Sequence, residues 1–204
     1  RKTMTKLERS SQRGKLMGSQ TPSVRIAPDY AYTDGADAVK VLAVGKLIVD
    51  PWQSEVLNDW MGRTEEEIWS APTCGLSVPR QNGKTLDTSG RIASGMIMYS
   101  EWVIYTAHLQ KTATETFMEI KGLFETRGLR KYVKEIKSAL GREQIILKNG
   151  GRVVFVARTR NGGRGLHGDC LVFDEAQELT SEQQASFLPA ISASKNPQTI
   201  YLGT

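Results

Sequence analysis

Cysteine is nearly missing from this chain of 204 residues. Cys74 and Cys170 each sit inside an apolar run, which argues against a disulfide framework or a zinc centre and for buried thiols in a reducing compartment. Long apolar runs are missing too. None approaches the roughly 20 residues a membrane span requires, and no charged-then-apolar leader opens the chain, so a soluble, cytoplasmic protein with no membrane partner is expected. Internal repeats are absent, which sets solenoids and propellers aside. One further absence is local. In "SVPRQNGKT", residues 77–85, the chain ends a motif on Gly83-Lys84-Thr85 but carries Val78 five residues before Gly83, where a nucleotide-triphosphate loop ordinarily has its first glycine.

What is present is enough apolar material, 39% of residues, for one domain with a proper core. The formal net charge of +5 is unevenly placed. Seven Lys/Arg against Glu8 and Asp29 fall within residues 1–30, so the basic excess belongs to an N-terminal arm. Such an arm either touches nucleic acid through counterion release or is a solvated terminus. Residues 1–50 carry breakers and little periodicity and read as an extended arm wrapping the domain. The boundary is drawn as a basic arm over 1–45 and a single domain over 46–204.

From Asp50 onward the pattern is regular. Asp50 and Pro51 make a cap and first turn for a helix carrying Trp52, Val56, Leu57 and Trp60 at helical spacing. "CGLSV" (74–78), "WVIYTA" (102–107), "CLVFDE" (170–175) and "TIYLG" (199–203) read as strands, with helices over about 84–98, in "TATETFMEIKGLF" and in "SEQQASFLPAISA". Asn149-Gly150 between two β-prone runs signals a hairpin. Strands alternating with helices imply an α/β fold, a mostly parallel sheet covered on both faces, with ligands at the carboxyl ends of the strands.

The loop 77–85 lies at such an end. A triphosphate needs converging backbone N–H groups, a helix N-terminus, a lysine for the β/γ oxygens and a hydroxyl for Mg²⁺, which Pro79, Arg80, Gln81, Asn82, Gly83, Lys84 and Thr85 together provide. Pro79 replaces the missing glycine as the stiff element of the turn, and Arg80 is placed to stabilise charge near the γ-phosphate. Asp174-Glu175 ends the second buried strand. Asp174 is the expected Mg²⁺ ligand opposite Thr85, and Glu175 the group that orients and deprotonates an attacking water, which points to hydrolysis rather than transfer to a hydroxyl. The glycine-rich stretch "RTRNGGRGLHGD" (158–169) offers Arg158, Arg160 and Arg164 to a neighbouring subunit's nucleotide or to a polyanion, with Arg164 the candidate for a transition-state arginine acting across an interface; His167 is a local hydrogen-bonding residue.

Taken together, "DPWQ", "VPRQNGKT", "YTAHLQKTA", "LVFDEAQ" and "YLGT" resemble the ATPase domain of the large terminase subunit of tailed bacteriophages, over about residues 40–204. The resemblance implies a RecA-like P-loop NTPase of the ASCE class that uses ATP and Mg²⁺. It makes Gln53 the reader of the adenine, Glu175 the catalytic glutamate, and Gly203 and Thr204 the coupling residues, on a strand between those ending at Val78 and Asp174. In such proteins a nuclease domain follows the ATPase, and the partners are double-stranded DNA, the portal protein, the small terminase subunit and further copies in a ring, here expected to be a pentamer, working in the cytoplasm of an infected bacterium and transiently at the procapsid portal. The alternatives are a superfamily-2 helicase-like translocase, for which "LGT" fits poorly, a nucleotide-binding module without turnover, and a small-molecule kinase.

Overall fold

The structure, a computed structural model, describes residues 19–79, 82–141, 143–159 and 162–204. Seven strands form the main sheet: β3 (Thr73–Ser77), β4 (Trp102–Ala107), β5 (Val133–Lys137), β6 (Gln144–Leu147), β7 (Arg152–Ala157), β8 (Cys170–Phe173) and β9 (Gln198–Gly203). Their order is β3-β9-β8-β4-β7-β6-β5, and every pair from β3 through β7 is parallel. The remaining two strands are added antiparallel, with β6 and β7 joined by the expected hairpin. Gly150 takes φ 96° in that turn, a left-handed conformation that glycine adopts without a Cβ penalty. A separate two-stranded ribbon pairs β1 (Tyr32–Thr33) with β2 (Gly62–Arg63).

The apolar runs are explained by burial on both faces. Along β8 all four residues are buried, and they alternate: Cys170 and Val172 enter one core, Leu171 and Phe173 the other. The first core is roofed by α1 (Gly35–Val44), α2 (Pro51–Trp60), α3 (Lys84–Tyr99) and α4 (Gln110–Glu125). The second is closed by α5 (Ser181–Phe187) and the 3-10 turn Leu188–Ile191 through Phe187 and Ile191. Each such large apolar side chain contributes about 1.5–3 kcal/mol when fully buried.

Two expectations are corrected here. Residues 35–44 are not extended arm but a helix, α1, whose Ala38 and Leu42 are wholly buried against the α2–α3 layer. Upstream, Arg25 lies along α2 with its Nε and Nη2 donating to Asp59 at 2.8 and 2.7 Å. The basic run through residue 18 lies outside the described residues. The last helix is also shorter than its sequence pattern, because Pro189 has no N–H to give and the chain tightens into 3-10 geometry after Phe187.

At the end of the sheet away from the strand carboxyl termini, Arg91 of α3 fixes the spacing of several elements. It is fully buried, pairs bidentately with Glu101 (2.6 and 3.0 Å) and donates from Nε to Gln198 at 2.8 Å. Gln198 in turn donates to the Trp60 and Ala71 carbonyls at 2.7 and 2.9 Å. The helix that follows the 77–85 loop is thereby fastened to the start of β9 and to the segments entering β3 and β4.

Candidate functional site

The loop that opens α3 and the end of β8 converge at the carboxyl edge of the sheet. Gly83 is the residue before the helix, with φ 84°, and its carbonyl accepts from Gln53 Nε2 at 3.1 Å. A Cβ at Gly83 would meet that same nitrogen at 2.8 Å, so a side chain here would sit on a left-handed backbone and have to displace the Gln53 amide. Lys84, the first helical residue, reaches down to Asp174, Nζ to Oδ1 at 2.6 Å. Both side chains are largely withdrawn from solvent, at 16% and 9% exposure, so the pair is only weakly screened. Asp174 Oδ1 also accepts the Glu175 N–H at 2.8 Å, while Oδ2 accepts the Tyr105 hydroxyl at 2.5 Å. Tyr105 stands on β4, its oxygen also 2.9 Å from Thr116 of α4. Burial, with Asp174 beside it, holds the Tyr105 phenol well above its ordinary value, so it remains a donor.

Glu175 leaves the strand in a left-handed conformation, φ 52° and ψ 52°, which costs a residue with a Cβ about 1–2 kcal/mol. Its Oε2 is buried and has no hydrogen-bond partner among the described residues. A buried carboxylate oxygen left unpaired beside an acid whose outer oxygen holds an ammonium is a place for a water or a cation-bound ligand. Thr85, one residue along α3, is half-buried. With Asp174 it makes a set of hard oxygen donors, which fits Mg²⁺. Among the described residues no group of three or more His, Cys, Asp or Glu is arranged to hold a metal.

Gly203, at the end of β9, pairs with Ser77 in the parallel register and accepts the Val78 N–H at 3.4 Å. β9 therefore lies between β3 and β8, as expected, and its last residues flank the entrance of the loop. Thr204 is exposed beside it, as are Pro79 and Asn82. Arg80 and Gln81 lie outside the described residues.

A cleft of about 550 Å³ opens on the α4 side of the same loop, lined by Gly45, Leu47, Gly83, Thr85, Leu86 and Glu119 among others. Its size suits one small organic ligand. Burial, then the nearby Glu115, raises the Glu119 carboxyl above its usual range.

No family model and no curated protein sequence matches the chain. Solved structures do. The large terminase of bacteriophage HK97 superposes with a TM-score of 0.71 at 16% identity, covering 84% of this chain and 38% of that one. The large-terminase ATPase domain of Thermus phage P74-26 gives 0.60 at 14% identity, covering 88% and 70%. A large terminase from a thermophilic bacteriophage, in a structure with ADP, gives 0.55 at 12% identity, covering 84% and 38%. The fold is that of a large-terminase ATPase domain. The chain spans well under half the length of the HK97 protein and of the ADP-bound one.

Within this terminase ATPase fold, two predicted residues are placed differently from their sequence reading. Gln53 is 3% exposed and its amide is engaged at both ends, Oε1 accepting the Asp50 N–H at 2.8 Å as part of a capping box and Nε2 donating to Gly83. It ties α2 to the loop, and one amide hydrogen and one carbonyl lone pair remain beyond these two bonds. Arg158, read as facing a neighbour or a polyanion, is instead 5% exposed and turned onto its own chain, with Nη1 donating to the carbonyls of Thr106 (3.2 Å) and Asp174 (2.5 Å) and Nη2 to that of Glu175 (3.0 Å). Arg164 and His167 are exposed on the turn before β8, and Arg160 lies outside the described residues.

Sequence reasoning missed two residues near this site, and the orientation of a third. Tyr105 could have been flagged as a hydroxyl two residues from the end of an otherwise apolar strand. Asp87, one turn into α3, is wholly buried with neither oxygen hydrogen-bonded among the described residues, and burial pushes its carboxyl up to about 8, with the Gln53 amide opposing that and Asp50 adding to it. Helical spacing from Lys84 puts it on the face that packs inward, where an acid is unexpected. For Arg158's inward turn no sequence signal exists, since a basic residue at a strand end is ordinarily solvated.

Proposed function

We propose that this chain is the ATPase unit of a phage large terminase, hydrolysing ATP to drive double-stranded DNA into a procapsid. The single observation that supports it most is the meeting of Lys84 and Asp174 at 2.6 Å, which brings the phosphate-loop lysine and the acidic strand end to one point. The pair is a cation and an anion in direct contact. On ATP binding, Lys84 exchanges the Asp174 carboxylate for β/γ-phosphate oxygens, and the α3 N-terminus and loop N–H groups take up the remaining charge. Thr85 and Asp174 would hold Mg²⁺, which when bound neutralises charge on the phosphate oxygens. Tyr105 keeps the second oxygen of Asp174 turned inward, leaving one oxygen for the site.

Glu175 supplies the base. A water hydrogen-bonded to its unpaired oxygen gives up a proton to the carboxylate and attacks the γ-phosphorus, the bond from that phosphorus to the β–γ bridging oxygen breaks, and ADP and phosphate leave. Arg80, from within the loop, and Arg164, from a neighbouring copy, add positive charge to the transition state. The adenine occupies the cleft lined by Leu47, Gly83 and Leu86, with Gln53 joined to that lining through the Gly83 carbonyl. Loss of the γ-phosphate alters the loop entrance that Val78 shares with Gly203, so Gly203 and Thr204 carry the change onward. Double-stranded DNA, the portal protein, the small terminase subunit and a ring of copies, a pentamer, are the partners this activity needs.

In the full-length protein, Glu175→Gln should bind ATP normally and package no DNA. Packaging at the normal rate by that variant would refute the role of Glu175, and failure of the unaltered protein to bind ATP at all would refute the reading as a whole.

A further inference from the structure

Three backbone carbonyls at the edge of the site point at one buried guanidinium, and two of them belong to consecutive residues. In an extended strand successive carbonyls point to opposite sides. Asp174 and Glu175 nevertheless both present theirs to Arg158, at 2.5 and 3.0 Å, because Glu175 takes φ 52° and turns its carbonyl back toward the same cation. The strained backbone and the arginine are thus mutually dependent: the left-handed turn makes the double contact possible, and the contact offsets the strain. The third carbonyl, Thr106, fixes the guanidinium to β4, and the Arg158 N–H donates to Ala107 at 2.9 Å. The bonds that hold the cation therefore run to backbone oxygens; burial lowers its pKa, while Glu175 and Asp174 nearby raise it.

Resting on the function proposed above, we propose that Arg158 is a positioning residue: through the Asp174 and Glu175 carbonyls its guanidinium holds the left-handed backbone that carries the Glu175 carboxylate in its working pose.

The test compares full-length wild-type protein with Arg158→Lys, which keeps the charge but loses the planar two-nitrogen fork, and Arg158→Met, which keeps the bulk and donates nothing. Both should bind ATP within about twofold of wild type and turn it over about 10–100-fold more slowly, with KM little changed. Backbone amide exchange should rise at 174–178 and stay unchanged at 84–99. Wild-type kcat in either variant, or an equal loss in kcat and in ATP affinity, would overturn the proposal. Should neither variant fold, amide exchange in the wild-type protein decides: on adding a nonhydrolysable ATP analogue, the amides of 157–159 and 174–178 should become protected together, and independent changes would overturn it. A wild-type protein that neither binds nor hydrolyses ATP would instead refute the function on which this rests, a distinguishable result.

Discussion

Lys84 and Asp174 are separated by 90 positions in the chain and by 2.6 Å in space. Two elements that follow different parallel strands are brought to one point by the β3-β9-β8 order, and the resulting pair holds a cation that a more highly charged ligand can draw from its anion. Replacing Lys84 with Ala leaves the Asp174 carboxylate, among the described residues, with the Tyr105 hydroxyl and the Glu175 backbone N–H as its donors. Breaking a buried pair from one side costs about 3 kcal/mol. Lys84→Ala is therefore expected to lower stability by that amount and to abolish the thermal stabilisation given by ATP, both read in one melting series.

Tyr105 donates to the other oxygen of Asp174 from β4, behind the carboxylate. A hydrogen bond to a charged group contributes about 1.5–3 kcal/mol. Tyr105→Phe should leave ATP affinity in the absence of metal unchanged while raising the Mg²⁺ concentration needed for half-maximal nucleotide-dependent stabilisation by about tenfold, measured by metal titration. An unchanged metal requirement would remove Tyr105 from the site.

Asp87 makes stability depend on pH. Its folded pKa, about 8, lies above the ordinary 3.8, so between those values the folded state holds a proton that the unfolded state has released. The unfolded state is therefore favoured progressively as pH rises across that window, by at most about 1.4 kcal/mol per pH unit, and the effect levels off above it. Asp87→Asn should flatten this slope, matching wild type near pH 4 and exceeding it in stability near pH 8, by denaturant titration. A slope unchanged by the substitution would show that the acid is ionised in place.

Gly83 and Gln53 contact each other where the loop joins the helix. Gly83→Ala combines an unfavourable positive φ with a Cβ 2.8 Å from the Gln53 amide. The left-handed conformation alone costs about 1–2 kcal/mol. Nucleotide affinity is expected to fall by about tenfold, and Gln53→Ala in the same background should restore part of it by removing the collision, as read by binding calorimetry.

Leu42 tests whether residues 35–44 belong to the domain. Its side chain is fully buried between α2 and α3, close to Gly90 and Leu57. Leu42→Ala should destabilise the whole domain by about 2–5 kcal/mol, as a core truncation does, whereas a loosely attached arm would show almost none.

Much of this was legible in the sequence because local and tertiary preferences agreed. The runs "WVIYTA" and "CLVFDE" are apolar on both faces and could only be central parallel strands, and Asn149-Gly150 could only be a tight turn. Gly83-Lys84-Thr85 and Asp174-Glu175 stand beyond the ends of β3 and β8, where the apolar runs before them had placed them. What stayed hidden depended on long-range packing. "DGADAVKVLAV" has Ala38 and Leu42 at helical spacing behind Asp34, but surrounding breakers masked the period. Gln53 carries a side chain that serves equally as helix cap, loop tether or base reader, and only the fold shows its amide occupied by Asp50 and Gly83. Arg158 turns inward because three carbonyls from other strands converge on it, a circumstance no local pattern records.

The most direct measurement is a structure of the full-length protein with a nonhydrolysable ATP analogue and Mg²⁺. The expected result is phosphate oxygens on Lys84 Nζ, the metal between Thr85 and Asp174, and the 2.6 Å pair opened. A nucleotide bound elsewhere, with Lys84 still on Asp174, would contradict the account.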